Sequence, residues 1–152
     1  MKDSLSLKPL QKTDFSTIVS WFEHHSFKQR LEGYFPVAGQ LERVLKNSNF
    51  MAWVAFVDNK LVGMVEIERE LDTGYILIMV APDFQGKGFG KKILQLVITE
   101  DKIQALTSLL AYIKSDHDAS KECFKAAGYQ YTFTDEDGFE LWKYTIKTTR
   151  LY

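Results

Sequence analysis

Apolar residues recur along this chain with two spacings, and the places where the spacing changes mark its elements. Residues 5–10, LSLKPL, alternate apolar and polar as a short strand does. Beyond Thr13 or Asp14, either suited to cap a helix, Phe15, Ile18, Val19 and Phe22 fall on one face of an amphipathic helix. A second short helix is expected over 40–46, with Leu41, Val44 and Leu45 inward, and the aromatic stretch 24–37 between the two has no period. FMAWVAFV and LVGMVEIERE, separated by DNK, read as antiparallel strands around a tight turn. GYILIMVA is apolar on both faces, the pattern of a strand in the middle of a sheet. Phe89, Ile93, Leu96 and Val97 return to helical spacing, SLLAYIK is a strand, and ASKECFKAAG is a short helix stopped at Gly128. YQYTFT and FELWKYTI form a hairpin around DEDG.

The order β-α-α-β-β-β-α-β-α-β-β predicts an α/β sandwich: a mixed, mostly antiparallel sheet of six to seven strands flanked by about four helices. With 152 residues, 45% of them hydrophobic, the chain has material for one buried core, so a single domain over 1–152 is expected. A net charge of −1 gives no basis for a non-specific hold on nucleic acid. Cys123 is the lone cysteine, which excludes an intrachain disulfide and a zinc cluster and suits a reducing cytosol; no metal is expected. The opening MKDSLSLKPLQKTD lacks the apolar core of a signal peptide, and no run approaches the roughly 18 apolar residues of a membrane span. A cytoplasmic protein without a membrane partner is the expectation.

Chemistry concentrates in VAPDFQGKGFGKKILQ, residues 80–95, where a buried strand hands over to an amphipathic helix through Gly86, Gly88 and Gly90 among Lys87, Lys91 and Lys92. A P-loop is excluded because Lys92 follows Gly90-Lys91 where Ser or Thr is required, and a dinucleotide fingerprint because Lys91 stands in place of the third glycine. What remains is Gln85-x-x-Gly88-x-Gly90 before a helix. A helix N-terminus offers unpaired N–H groups and a positive dipole end, and glycines remove the Cβ atoms that would keep a phosphate away. The alternative is an ordinary cap turn with solvated lysines.

That motif, preceded by VAPDF and followed by KKILQ, resembles the acetyl-CoA signature of the GNAT N-acetyltransferase superfamily, [QR]-x-x-G-x-[GA] after a strand ending in V-x-P. SDHDASKECFKAAGY resembles the strand-to-helix segment of the same family, with Ser120, Gly128 and Tyr129 matching directly and His117 at an Asn-like position. The resemblance implies an acetyl-CoA-dependent N-acetyltransferase in which a primary amine attacks the thioester directly, leaving Cys123 unneeded as a nucleophile. It places Ile78, Met79 and Val80 beside a gap that takes the pantetheine arm. The pyrophosphate would rest on the N–H groups of Gln85, Gly86, Lys87, Gly88, Phe89, Gly90 and Lys91. Ser115, His117, Ser120 and Phe124 would border the pantetheine and adenosine side, and an N–H near Met79 or Val80 would polarise the thioester carbonyl.

Departures from the family pattern bear on catalysis. Phe124 stands where the family often has a Tyr that protonates the thiolate, and Tyr129 is the substitute candidate, its alternative being a core aromatic. An alkyl amine of pKa about 10.4 is neutral only about once in 2,500 molecules at pH 7, so a base is useful. Glu66 and Glu68, on one face of their strand, are candidates, against the alternative of a solvated strand face. His24 and His25 are further candidates, or simply surface residues. Trp21, Phe27, Tyr34 and Phe35 would wall the acceptor site or else complete the core, with Glu23 and Glu32 drawing in a cationic amine. The acidic tip Asp135, Glu136 and Asp137 either attracts a polyamine or aminoglycoside-like amine or is only solvated. The leading reading is acetyl transfer to a small-molecule amine; the alternatives are a protein N-terminus or lysine as acceptor, or a non-catalytic CoA-binding domain. A monomer fits the sequence, as does a homodimer paired through the last hairpin.

Overall fold

The computed structural model describes residues 4–146, apart from the side chain of Glu32; the ends of the expected domain, 1–3 and 147–152, lie outside the described residues. The strands are β1 (Leu5–Pro9), β2 (Phe50–Val57), β3 (Lys60–Glu70), β4 (Thr73–Val80), β5 (Ser108–Lys114), β6 (Gln130–Thr134) and β7 (Phe139–Thr145). The α-helices are α1 (Phe15–Trp21), α2 (His25–Arg30), α3 (Val37–Lys46), α4 (Phe89–Val97) and α5 (Asp118–Ala126). Chain order thus contains one helix more than the sequence pattern predicts. The addition, α2, has six residues, no side-chain cap and a single buried side chain, Phe27, so it leaves no period to detect. The next helix starts three residues before the expected 40–46, at Val37, behind Pro36, whose fixed φ suits the entry.

The sheet runs β1-β2-β3-β4-β5-β7-β6, with only β4 and β5 parallel. The β2–β3 turn uses Asp58 and Asn59 at φ of 51° and 65°, the left-handed pair of a two-residue hairpin loop. As the fourth of seven strands, β4 is covered on both faces, which accounts for its continuous apolar sequence. One buried cluster, including Val65, Ile67, Ile93, Val97 and Leu109, lies between the sheet and α4 and α5. The other, including Ile18, Leu41, Val44, Met64 and Met79, lies beneath α1 and α3. Burying each such side chain contributes about 1.5–3 kcal/mol before entropy is charged against it.

The feature that positions the site is the β4–β5 boundary. The strands pair through only Thr73↔Ser108, Gly74↔Leu109 and Tyr75↔Leu110. Beyond that, β3 holds β4 as far as Val80, and β7 holds β5 as far as Lys114. Each strand follows its other neighbour, and the two part.

Candidate functional site

The parted strands open a cleft of about 670 Å³, edged by Ile76, Leu77, Ile78, Met79 and Val80 on one side and Ala111, Tyr112, Ile113 and Lys114 on the other. In the antiparallel β3–β4 ladder, the Ala81 N–H donates to the Val62 carbonyl at 2.8 Å. Alternation along that ladder turns the N–H of Met79 toward β3 and those of Ile78 and Val80 toward the gap. The Val80 carbonyl points the same way and accepts a 3.0 Å hydrogen bond from Gln85 Nε2. Gln85 thereby ties the start of the loop to the end of β4, a positional reason for an amide side chain at the head of the motif.

The loop and the first turn of α4 form the end of the cleft, lined by Gln85, Gly86, Gly88, Phe89, Gly90 and Lys91. None of the N–H groups of residues 86–91 donates to another described residue. Gly86 and Gly88 adopt φ of +76° and +85°, and a Cβ at either would meet nothing within 4 Å, so both face open space. Such a surface of free amides, at the N-terminus of a nine-residue helix and approachable without side chains, fits a pyrophosphate. Gly90 serves a different purpose: a Cβ there would lie 2.8 Å from Cys123 Sγ, so glycine lets α4 approach α5. The ammonium of Lys87 lies 5.7 Å from the centre of the Phe84 ring, and Lys87 is outside the cleft lining.

From α5 and its approach, His117, Ser120, Cys123 and Phe124 line the cleft. Ser115 does not; its hydroxyl and its N–H both donate to the Gly138 carbonyl, at 2.6 and 3.0 Å, pinning the loop to the last hairpin. Burial and the nearby Arg30 guanidinium hold the His117 imidazole below its ordinary range, against the pull of Asp116 and Asp118. Burial pushes the Cys123 thiol up to about 11, which leaves it a thiol rather than a nucleophilic thiolate at neutral pH.

The catalytic candidates are dispersed. Glu66 and Glu68 share a face of β3, but Glu66 is buried, accepting a 2.5 Å hydrogen bond from the Tyr34 hydroxyl, while Glu68 is half exposed beside Arg43 at 3.9 Å. Burial pushes the Glu66 carboxyl up, the Glu68 charge adds to this, and the Tyr34 hydroxyl and Arg43 oppose it. Glu66 pairs across the ladder with Leu77, itself part of the cleft wall, so one side chain separates the carboxylate from the cleft. Tyr129 is not brought to the cleft. Its ring packs between Phe124 and Tyr144 at 4.9 and 5.3 Å, its hydroxyl is buried without a partner among the described residues, and burial pushes its pKa up. A phenol so placed neither reaches a leaving group nor ionises, which answers the expectation that it substitutes for a Tyr at position 124.

The expected acceptor wall divides in two. Tyr34 is buried and stacked on Phe22, and Phe35 packs edge-on against the same ring. Trp21, Glu23 and His24 line a separate, shallow pocket of about 440 Å³ with Asp83 and Phe84. His24 Nδ1 lies 3.0 Å from the Ser26 hydroxyl, and His25 is the exposed first residue of α2. Asp135 spends its carboxylate on the N–H groups of Asp137 and Phe139, both at 2.9 Å, a turn-capping role. Only Phe27 of that group reaches the cleft, together with Ser26, Arg30 and Leu31, which the sequence reading did not single out. The available signal was the spacing of four between Phe27 and Leu31, and the alternation of SLLAYIK, which places Tyr112 and Lys114 on one face.

Among the described residues no cluster of three or more His, Cys, Asp or Glu is placed to hold a metal ion, and no helix is long and apolar enough to cross a membrane. The family profile described as acetyltransferase (GNAT) family matches residues 13–129. An uncharacterized N-acetyltransferase of Bacillus subtilis, YfmK, is 33% identical over 132 residues, covering 86% of this chain and 89% of its own. Among solved structures, the aminoglycoside acetyltransferase AAC(6')-Ib bound to paromomycin and acetyl-CoA superimposes with a TM-score of 0.78 over 94% of each chain at 17% identity. Spermidine N-acetyltransferase from Vibrio cholerae, bound to CoA and spermine, gives 0.74 over 91% of this chain and 92% of its own at 16% identity. Since the profile runs from just before α1 to the end of the α5 turn, and the bacterial relative follows it along most of both chains, the chain belongs to the GNAT family of acetyltransferases, whose acyl donor is acetyl-CoA.

Proposed function

We propose that this protein moves the acetyl group of acetyl-CoA onto a primary amine of a small molecule by direct attack. The observation that carries the reading is the continuity of one cleft from the free amides of the glycine loop, past the gap-facing N–H of Val80, to the side chains of α2. Acetyl-CoA, when bound, supplies a thioester carbonyl open to attack and a thiolate able to leave. The amides of residues 86–91 hold its phosphates, and Gln85 fixes the loop that presents them. The Val80 N–H, rather than that of Met79, is aimed to stabilise charge on a carbonyl oxygen in the gap. Glu66, with its raised pKa and its Tyr34 partner, is the group on the acceptor face suited to take the amine proton through a water. Neither Phe124 nor Tyr129 protonates the leaving group; a thiol of pKa about 8.5 leaves as the thiolate and is protonated by water. Structural neighbours that bind aminoglycosides and spermine support a small amine as acceptor.

The missing side-chain acid favours a second reading, a domain that binds CoA without turning it over. A thiol-release assay with acetyl-CoA and a panel of amines separates the two. Amine-dependent release above background hydrolysis is expected; CoA binding without release for any amine would leave only the binding reading.

A further inference from the structure

Two cations, Arg30 and Lys114, line the end of the cleft beside α2. Leu109, Ala111 and Ile113 of β5 belong to the core under α4 and α5, so alternation puts Tyr112 and Lys114 on the opposite face, where α2 lies. At that end the cleft is lined by Phe27 and Arg30 from α2, by Leu31 just after it, and by Tyr112 and Lys114 from β5, with Tyr112 stacked on Tyr75 at 6.3 Å and 9°. Its two charged side chains are both cations. Glu122, the carboxylate among the lining residues, comes from α5 rather than from α2 or β5. Among the described residues, Glu23 lies in the shallow pocket, Asp135 caps its own turn and Glu68 stands beside Arg43, while Glu70 spends its carboxylate on the hydroxyl of Tyr75, behind Tyr112.

We propose that the acceptor is a small amine that also carries a carboxylate, held by the Arg30 guanidinium with Lys114 beside it, and that this pairing selects against purely cationic amines. The inference rests on the acetyltransferase reading of the cleft. Arg30 supplies a planar fork of donors that matches a carboxylate, and it is exposed, so its charge is held in water until the ligand arrives. Its influence on the His117 imidazole shows that the guanidinium also comes near the segment that leads into α5. Glu66, on the same face of the sheet, is placed for the amine end of such a molecule. A zwitterionic acceptor thus meets a cation at its carboxylate and a carboxylate at its ammonium. A polyamine meets the cations.

The test measures kcat and KM at fixed acetyl-CoA for matched acceptors: phenylalanine, its amide and phenethylamine; lysine and cadaverine; and spermidine and kanamycin. Carboxylate-bearing members are expected to have kcat/KM at least about tenfold above their partners. Arg30→Ala is expected to raise their KM by about tenfold or more while the KM of acetyl-CoA moves less than twofold. A preference for amides, decarboxylated amines or polyamines overturns the proposal, as does binding of acetyl-CoA with turnover of no carboxylate-bearing amine. A rise confined to the acetyl-CoA KM in Arg30→Ala also overturns it, because the anion held is then a CoA phosphate. Failure of acetyl-CoA to bind the wild-type protein by calorimetry removes the acetyltransferase reading, and the proposal with it.

Discussion

Gly90→Ala adds one methyl group where α4 approaches α5 most closely through a glycine, and gives the sharpest test of how the two helices meet. The new Cβ would lie 2.8 Å from Cys123 Sγ, 3.5 Å from Ile78 Cδ1 and 3.7 Å from Val80 Cγ2. The last two are ordinary contacts; the first is not, and relief requires the short Cys123 side chain to rotate against its packed surroundings or the helices to separate by roughly 0.6–1 Å at that point. Overpacking of this kind costs about 1–3 kcal/mol. For a chain of this size, that lowers Tm by about 2–12 °C. Because Gly90 is in the first turn of α4, the shift also moves the amides of residues 89–91, so the KM for acetyl-CoA rises with the loss of stability. Cys123→Ala removes the obstructing sulfur, and in the double variant the added methyl fills the space it vacates. Thermal unfolding and acetyl-CoA titration of the wild type, both single variants and the double complete the cycle. The expected result is a favourable coupling of at least about 1 kcal/mol together with recovery of KM. Effects that add to within about 0.3–0.5 kcal/mol would refute the reasoning, since they would mean that methyl and sulfur do not share the space.

Gly88→Ala places a Cβ at a left-handed position facing open space, so it should lose about 1–2 kcal/mol of stability to backbone strain and weaken acetyl-CoA binding about tenfold in calorimetry. Gly33→Ala, also with open space and no positive φ, serves as the control and should leave affinity unchanged. Glu66→Gln should change how stability varies with pH: the folded carboxyl has a raised pKa, so its contribution to stability is fully present below the ordinary glutamate range near 4.5 and is lost as pH rises through the folded value. The variant should therefore gain on the wild type in urea titrations between pH 4 and pH 8. If Glu66 is the base, the same variant should lose rate most at low pH, where the amine is charged; equal rates across pH would return Glu66 to a structural role. Cys123, with its thiol pushed up to about 11 and its sulfur against α4, should react with iodoacetamide far more slowly at pH 7.5 than a free thiol, and acetyl-CoA should slow it further.

Periodicity made most of the elements legible, because α1, α3, α4 and the inner strands each bury a face, while β6, exposed along its length, was legible through its aromatic residues and the turn after it. It missed α2, whose six residues bury one side chain and whose place over the cleft depends on tertiary contacts alone. The glycine loop was readable as a local motif, since its chemistry is backbone chemistry and the glycines announce it. Side-chain chemistry assembled across the sheet was not. The alternation of β3 puts Glu66 and Glu68 on one face, yet which of them is buried depends on Tyr34, 32 positions earlier in the chain. Tyr129 sits where a motif comparison directs attention, but the orientation of its ring is set by Phe124 and Tyr144, the latter on the second strand of the final hairpin. The charge of the acceptor end likewise arises from Arg30 and Lys114, more than 80 residues apart by subtraction of their numbers.

Among the described residues, three residue pairs are the only backbone ladder joining β1–β4 to β5–β7. The seven-stranded sheet is in this sense two half-sheets with a seam, fastened chiefly by the shared core of Ile76, Leu109 and the α4 side chains rather than by main chain. The shortest ladder of the described sheet therefore closes one end of the cleft, and occupancy of the cleft should stiffen the whole protein rather than one loop. Amide exchange at Ile78 and Val80, slowed in step with the rise in global Tm as acetyl-CoA is added, would record the seam being closed.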